Sequence, residues 1–182
     1  MSFLETRFAI LDDGKPAQYV NDRTVLLAEK IREEESRLIF AHRKSRENTY
    51  VDPKGKIHVI DPEAAELAEE CRVQTESVLE GLRAAVAKLE ELGSPFMWDL
   101  GRELHAARNI EKNATSQSNL AMDRLRQGRK FARLSYPDLV KTPEGAAIMK
   151  RYEEATKDAP ERLAAAEARY NEVADILNSV GV

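Results

Sequence analysis

The sequence predicts a mainly α-helical protein: an antiparallel bundle or coiled coil of long helices, with a small β element near the N-terminus. The first supporting observation is composition, since 33% of the 182 residues are charged and only 6% are aromatic, a balance typical of long packed helices. The second is the small number of Gly and Pro, eight and seven, because an all-β protein needs more of them for its turns. The third is the helical spacing of apolar residues between capping signals. Together they favour a single mainly helical domain over residues 1–182.

Two segments near the N-terminus predict β-hairpins, at about residues 7–20 and 48–60. In the first, apolar runs flank an Asp-Asp-Gly-Lys sequence, in which Gly14 can take the positive φ of a bulged turn. Pro16 has no N–H to donate, so its strand should lie at an edge. In the second, the Asp-Pro-Lys-Gly sequence at residues 52–55 has the residue types that a tight turn requires.

Between these hairpins, residues 22–46 predict a long helix with apolar residues on both sides. The apolar residues that share its first face are Leu27, Ile31 and Leu38. Leu26 and Phe40 point the opposite way at 100° per residue. A helix with two apolar sides is sandwiched between other elements or lies in an interface. Leu26 and Phe40 are therefore the predicted protein interface.

Two further long helices are predicted on either side of a Gly-Ser junction. Asp61–Glu63 begins the first with an N-cap, a proline and an acid, and Gly93 ends it. Ser94-Pro95 begins the second at once, so the two should fold back as an antiparallel hairpin. The second has near-heptad apolar spacing up to Leu134, which predicts left-handed supercoiling. The weakly helical segment 113–119 makes a break in its middle the alternative.

The C-terminal part predicts two more helical segments. Thr142-Pro143-Glu144 has the residue types of a helix start. Pro160 should break or kink the helix that follows. The apolar spacing then continues to a cap at Gly181.

The segment Arg124–Arg133 is strongly basic in a chain whose net charge is −4. That net charge gives no whole-protein attraction to nucleic acid, so only a local patch could bind it. If the segment is helical, one arc carries Arg126, Arg129, Lys130 and Arg133. The favoured interpretation is the solvated face of an amphipathic helix, and the alternative is a contact with phosphate or an acidic partner. Phe131 points away from the arc, so the aromatic platform of a single-strand binder is missing.

Glu35 and His42 are the weak candidate polar site, two turns apart near the apolar stripe of the first long helix. The favoured interpretation is a polar pair that fixes register, and the alternative is a catalytic or metal-binding role. The Glu-x-x-His pattern, which places two metal ligands on one helix face, does not occur. Cys71 lies on an apolar stripe and is expected to be buried. We therefore predict no catalytic residue, no cofactor and no metal ligand.

These observations favour a non-enzymatic interaction or assembly protein. A structural or adaptor component, including one of a viral or phage particle, and a small protein-binding inhibitor all share such a composition. The alternatives are a nucleic-acid-associated protein that uses the basic helix face, and a helical-bundle enzyme centred on Glu35 and His42. The expected partner is a protein or a second copy, with nucleic acid less favoured. No apolar stretch approaches the ~18 residues of a membrane span, and the start of the chain lacks the pattern of a signal peptide. The expected location is the cytoplasm, or a particle assembled there.

Overall fold

The computed structural model describes residues 2–13 and 17–182, which are mainly helical as predicted. The helices are α1 (Phe3–Asp13), a 3-10 helix (Ala17–Tyr19), α2 (Arg23–Glu47), α3 (Pro62–Glu91), α4 (Met97–Arg108), α5 (Ile110–Gln127), α6 (Tyr136–Val140), α7 (Pro143–Thr156) and α8 (Ala159–Ser179). Strands β1 (Thr49–Val51) and β2 (Ile57–Val59) form an antiparallel two-stranded sheet. No helix of this described part is long and apolar enough to span a membrane.

The chain divides into two compact units. The first contains the described residues up to Trp98 together with Glu172–Val182, and the second is Asp99–Asn171. The single domain inferred from the sequence stays a prediction. Each unit has its own core of buried residues.

In the first unit, α2 and α3 pack against each other in antiparallel orientation. The β1–β2 hairpin joins the end of α2 to the start of α3, and Arg83 of α3 donates a hydrogen bond to Glu35 of α2 at 2.9 Å. The largest buried apolar side chains of the pair are Val25, Leu27, Ile31, Leu79, Leu82 and Leu89. Most of this core lies in the first half of α2 and the second half of α3. We call this the closed end of the pair, and the end with the strands the hairpin end.

Two short segments cover the closed end. Phe3 of α1 is buried, and its N–H donates to Glu90 of α3 at 3.1 Å. The last turns of α8 bury Leu177, and Lys30 of α2 donates to the carbonyl of Val180 at 2.8 Å. The closed end therefore has a multilayer core, because α1 and α8 each add apolar side chains to the α2–α3 pair.

A buried arginine lies where α1 meets the α3–α4 connection. Arg7 Nη2 donates to the carbonyls of Ser94 and Pro95 at 2.8 and 3.0 Å. Its guanidinium lies 4.0 Å from the ring centroids of both Phe3 and Phe96. Burial lowers the pKa of Arg7 to about 10. Because that value is still far above neutral pH, Arg7 is a buried cation held by carbonyl oxygens and aromatic faces.

In the second unit, α5, α6 and α7 surround a small core. Its fully buried apolar members are Met122, Phe131 and Leu139. The partly buried side chains packed on them are Leu125, Leu134, Val140, Ile148 and Met149. Ion pairs at 3.1 Å join α4 to α8, one between Glu103 and Arg169 and one between Arg108 and Glu167.

The predicted β-hairpin at about 7–20 is wrong. Its first strand is the helix α1, which buries Phe3, Arg7 and Ile10 at a helical spacing. On a strand Arg7 and Ile10 would point to opposite faces, whereas on the helix both are buried and Arg7 reaches the carbonyls described above. Gly14 and Pro16 lie outside the described residues. The second predicted hairpin is confirmed, and it lies between α2 and α3.

The long helix predicted to reach Leu134 is also wrong. It is divided at Asn109 into α4 and α5, and α5 ends at Gln127 with Gly128 in an extended conformation. The end at Gly128 has a packing cause, since the chain must leave the helix for Phe131 to reach the core with Met122 and Leu139. The antiparallel pairing of the helices on either side of Gly93 stays a prediction, and the antiparallel partner of α3 seen within the first unit is α2.

The predicted helix starts at Asp61 and Thr142 are confirmed, but the start predicted at Ser94-Pro95 is wrong, because α4 begins only at Met97 and Ser94 has a positive φ of 54°. Asp61 caps α3 by accepting from the Ala64 N–H at 3.1 Å, and Thr142 caps α7 by accepting from the Gly145 N–H at 3.1 Å. α7 ends at Thr156, and Pro160 lies in the first turn of α8, so the predicted break is present.

Candidate protein-binding surface

The β-hairpin is ordered by polar contacts in its turn. Asp52 Oδ1 accepts from the N–H groups of Lys54 and Lys56 at 2.8 and 2.9 Å, and Asp52 Oδ2 lies 3.0 Å from His58 Nε2. On the same face, the Tyr50 and His58 rings stack with centroids 4.9 Å apart, as their pairing in the sheet requires. The hairpin thus holds its shape through one carboxylate and one ring pair.

The pH should therefore control the stability of the hairpin. Hydrogen bonds from His58 and from the N–H groups of Lys56 and Lys54 hold the pKa of Asp52 below its usual value of 3.8. A carboxylate with a lowered folded-state pKa stabilises the fold above its unfolded pKa and loses this effect as the pH falls through the folded pKa. We expect the Tyr50 and His58 NMR signals to report loosening of the hairpin below about pH 3.8. Asp52→Asn should abolish this response, and an unchanged response would contradict the assignment to Asp52.

The opposite face of the hairpin is apolar and uncovered. Val51 pairs with Ile57 in the sheet, and these side chains are 65% and 66% exposed. Val59 and Ile60 are also more than half exposed. Exposed neighbouring apolar side chains of this kind mark contact sites for other molecules more often than chance surface.

The helices add further exposed apolar side chains at the same end. Phe40 and Ile39 of α2 are 59% and 70% exposed, and Leu67 near the start of α3 is 66% exposed. We define the hairpin-end surface by these exposed apolar members: Phe40, Val51, Ile57, Val59, Ile60 and Leu67. The core of the first unit is concentrated at the closed end, so these side chains have no layer above them.

Helix geometry places Phe40 and Leu67 on the same flank of the α2–α3 pair. Ala41 and Ala68 are buried between the two helices. On each helix the residue after the buried alanine, His42 or Glu69, points +100° from it about the helix axis. The residue before the alanine, Phe40 or Leu67, points −100° from it. Glu35, at about +120° from Ala41, and Arg83, at about +60° from Ala68, lie on the positive side of their helices, and Arg83 donates to Glu35 at 2.9 Å. Because the two positive sides share one flank, Phe40 and Leu67 share the opposite flank.

Two more residues of α3 extend this second flank. Cys71 and Val78 follow Leu67 by four and eleven residues, which returns them to nearly the same angle. Both are exposed. Cys71 is thus not the buried residue that the apolar stripe predicts. We call Phe40, Leu67, Cys71 and Val78 the Phe40 flank.

The predicted interface residues differ in accessibility. Phe40 is the more exposed of the two, and Leu26, at the closed end, is 38% exposed. Leu26 lies fifteen residues before Ala41, so it points about −60° from Ala41 about the axis of α2. This places it on the same side of α2 as Phe40. The two side chains therefore share one side of α2, as the sequence predicts, and the role of both as an interface stays a prediction.

The candidate polar site is not brought together. Glu35 pairs with Arg83 of α3 at 2.9 Å, and His42 lies two turns further along α2. Among residues 2–13 and 17–182 there is no group of three or more His, Cys, Asp or Glu side chains arranged to hold a metal ion. Glu35 is thus part of the α2–α3 contact, and the role of His42 stays a prediction.

The basic segment does not form one helix face. Arg126 lies in the last turn of α5, whereas Arg129, Lys130 and Arg133 follow the end of that helix. All four side chains are exposed. Lys130 pairs with Glu144 at 3.0 Å and lies 4.8 Å from the centroid of the buried Phe131 ring. The role of these cations in binding phosphate or an acidic partner stays a prediction.

Sequence reasoning missed most of the hairpin-end surface. Leu67 and Cys71 fit an apolar stripe with Leu82 and Leu89, but only the latter pair is buried. A second stripe, shifted by one residue along α3, could have predicted this. It runs from Ala68 through Thr75 to Leu79, and it is the stripe that packs on α2. A small residue such as Ala68 lets two helix backbones approach closely and leaves its larger neighbour outside.

Comparison of the chain with family models, curated proteins and solved structures finds no match. The function therefore has to be inferred from the surface of the molecule.

Proposed function

We propose that the protein is a non-enzymatic assembly or adaptor component that binds another protein chain through the hairpin-end surface. The observation that carries the proposal is the set of large apolar side chains uncovered at one end of the α2–α3 pair. Monomeric soluble proteins rarely leave apolar patches larger than a few hundred Å² in water, and larger ones mark interaction sites. A protein contact would transfer these side chains from water into an apolar environment.

The chemistry of the surface favours a protein over other partners. Phe40 is an aromatic anchor of the kind enriched at protein interfaces. The cations nearest to Phe40 are engaged within the chain, since Lys44 pairs with Glu47 at 2.9 Å and Arg37 pairs with Glu34 at 2.7 Å. Phosphate binding depends on cations that are available to the ligand. The exposed surface instead consists of apolar side chains, bordered by charged side chains that pair with one another.

Photo-cross-linking tests the proposal. A photoreactive phenylalanine analogue replaces Phe40, and the protein is irradiated in extract of its natural source. We expect a covalent adduct with a protein, either a second copy or another chain. The same analogue at Leu120, an α5 residue that is 51% exposed, serves as the matched control and should give none. No protein adduct from position 40 would refute the proposal.

The stability of the Phe40→Asp variant tests whether Phe40 is a surface residue, as this experiment requires. Because Phe40 is 59% exposed, Phe40→Asp should change the free energy of unfolding by only about 0.5 kcal/mol. A loss of ~3–5 kcal/mol, as for a buried aromatic residue, would mean that Phe40 belongs to the core.

A further inference from the structure

We propose that the partner is a second copy of the same chain, docked with two-fold symmetry so that α2 of each copy lies on α3 of the other. The inference rests on the function proposed above and names its partner. In this arrangement the two-fold axis runs parallel to the helices, and the Phe40 flanks of the two copies face each other. The four helices form a bundle in which each helix is antiparallel to its neighbours.

The first argument is that α3 carries a site that fits Phe40. Side chains at positions i, i+3, i+4 and i+7 of a helix surround a hole that accepts a residue from a facing helix. On the Phe40 flank that hole is formed by Leu67, Glu70, Cys71 and Gln74, which are all exposed. The hole is apolar on the side nearest α2, where Leu67 and Cys71 lie, and polar on its outer side.

The second argument concerns height along the helices. The paired residues of the β-hairpin have numbers that add to 108, and Glu35 pairs with Arg83, whose numbers add to 118. Residues of α2 and α3 at the same height therefore have numbers that add to between 108 and 118, which places Phe40 level with residues 68–78 of α3, a span that contains Cys71. An axis parallel to the helices preserves height, so Phe40 of one copy meets the hole beside Cys71 of the other. The same contact occurs twice, as an isologous interface requires.

The third argument is charge. The hairpin-end half of α2, residues 37–47, has four cations (Arg37, Arg43, Lys44 and Arg46) and one acid, Glu47. The facing half of α3, residues 62–80, has six acids and one cation, Arg72. Although Lys44 and Arg37 pair with acids of their own helix, the two segments keep opposite net charges, +3 (four cations and one acid) and −5 (six acids and one cation), so placing α2 of one copy on α3 of the other is favourable and fixes the register. The other two-fold arrangement, α2 on α2, would bring two basic halves together.

The arrangement also brings the two β-hairpins to the same end of the bundle, because the axis is parallel to the helices. Val51 and Ile57, which a single copy leaves in water, then lie at the same end in both copies. The exposed apolar residues of α2, of α3 and of the sheet are thus gathered at one end of the dimer.

Disulfide trapping tests the inference. Phe40→Cys, with Cys71 retained, should give a covalent dimer on mild oxidation, because the introduced thiol of one copy lies beside Cys71 of the other. The matched control is Ile39→Cys, since Ile39 is also exposed but lies 100° around α2 from Phe40, on the side that faces away from α3, and should give no dimer. Phe40→Cys combined with Cys71→Ser should also give none. Light scattering of the wild-type protein should report twice the chain mass of 20.5 kDa.

Each other outcome overturns the inference. A wild-type monomer, a disulfide formed only within one chain, or a dimer formed equally by Ile39→Cys contradicts the proposed interface. A dimer of Phe40→Cys in the Cys71→Ser background indicates α2 on α2. If position 40 cross-links only to a different protein, the second copy is excluded but the proposed function stands; if it cross-links to nothing, both fail.

Discussion

Gly145→Ala is expected to destabilise the second unit by about 3 kcal/mol or more, at or above the upper end of the usual range for overpacking. Gly145 is buried in the first turn of α7, where a Cβ atom would lie 2.0 Å from the carbonyl oxygen of Leu139. It would also lie 3.1 Å from the Cα of Val140. These neighbours are backbone atoms at the end of α6, so no side-chain rotation can relieve the contact. α6 and α7 must separate, which disrupts the packing of Leu139 with Met122 and Phe131.

Gly81→Ala is the matched control for this experiment. Gly81 lies in the interior of α3, and a Cβ atom there would meet nothing within 4 Å. The same substitution should therefore stabilise the protein by about 0.5–1 kcal/mol, because alanine loses less conformational entropy than glycine in a helix. Urea denaturation followed by circular dichroism measures both variants. Equal effects of the two substitutions would mean that α6 and α7 do not approach as closely as described.

The parts of the fold that the sequence predicts correctly depend on contacts between near neighbours. The caps Asp61 and Thr142 bond to N–H groups three residues away, and the turn at Asp52 is closed within four residues. Such contacts can be read from a short segment of sequence. The segment 7–20 carries an equally local turn signal, but the helical spacing of Phe3, Arg7 and Ile10 decides the structure of residues 3–13.

The parts that could not be predicted depend on contacts between distant residues. Arg7 was not recognised as a core residue, because its partners, the carbonyls of Ser94 and Pro95, lie 87 and 88 residues away. The candidate surface shows the same limit. Phe40 was identified because α2 is apolar on two sides, but the exposure of Leu67 depends on which stripe of α3 packs on α2, and that contact is tertiary.

Asp22→Ala is expected to destabilise the first unit by about 3 kcal/mol, of which loss of a helix N-cap accounts for about 1 kcal/mol. Asp22 is 5% exposed. Its Oδ1 accepts from the N–H and the hydroxyl of Thr24 at 2.9 and 2.7 Å, and its Oδ2 accepts from the N–H of Trp98 at 2.7 Å. A buried donor left without an acceptor costs about 1–3 kcal/mol, and the Thr24 donors are fully buried. The charge of Asp22 also favours the cationic form of the buried Arg7.

Asp61→Ala measures the loss of a helix N-cap alone, without the other hydrogen bonds and the burial of Asp22. Asp61 caps α3 with one hydrogen bond to the Ala64 N–H, but it is exposed, so water can replace it as an acceptor and the loss should be about 1 kcal/mol or less. The two variants remove the same side chain from the N-cap of a helix, and they differ in burial and in the bonds from the Thr24 hydroxyl and the Trp98 backbone N–H. Trp98 is the single tryptophan, so its fluorescence reports directly on the Asp22 contact during urea denaturation. A loss for Asp22→Ala no larger than that for Asp61→Ala would mean that Asp22 acts only as a cap, and that the α3–α4 connection is held to the start of α2 by other contacts.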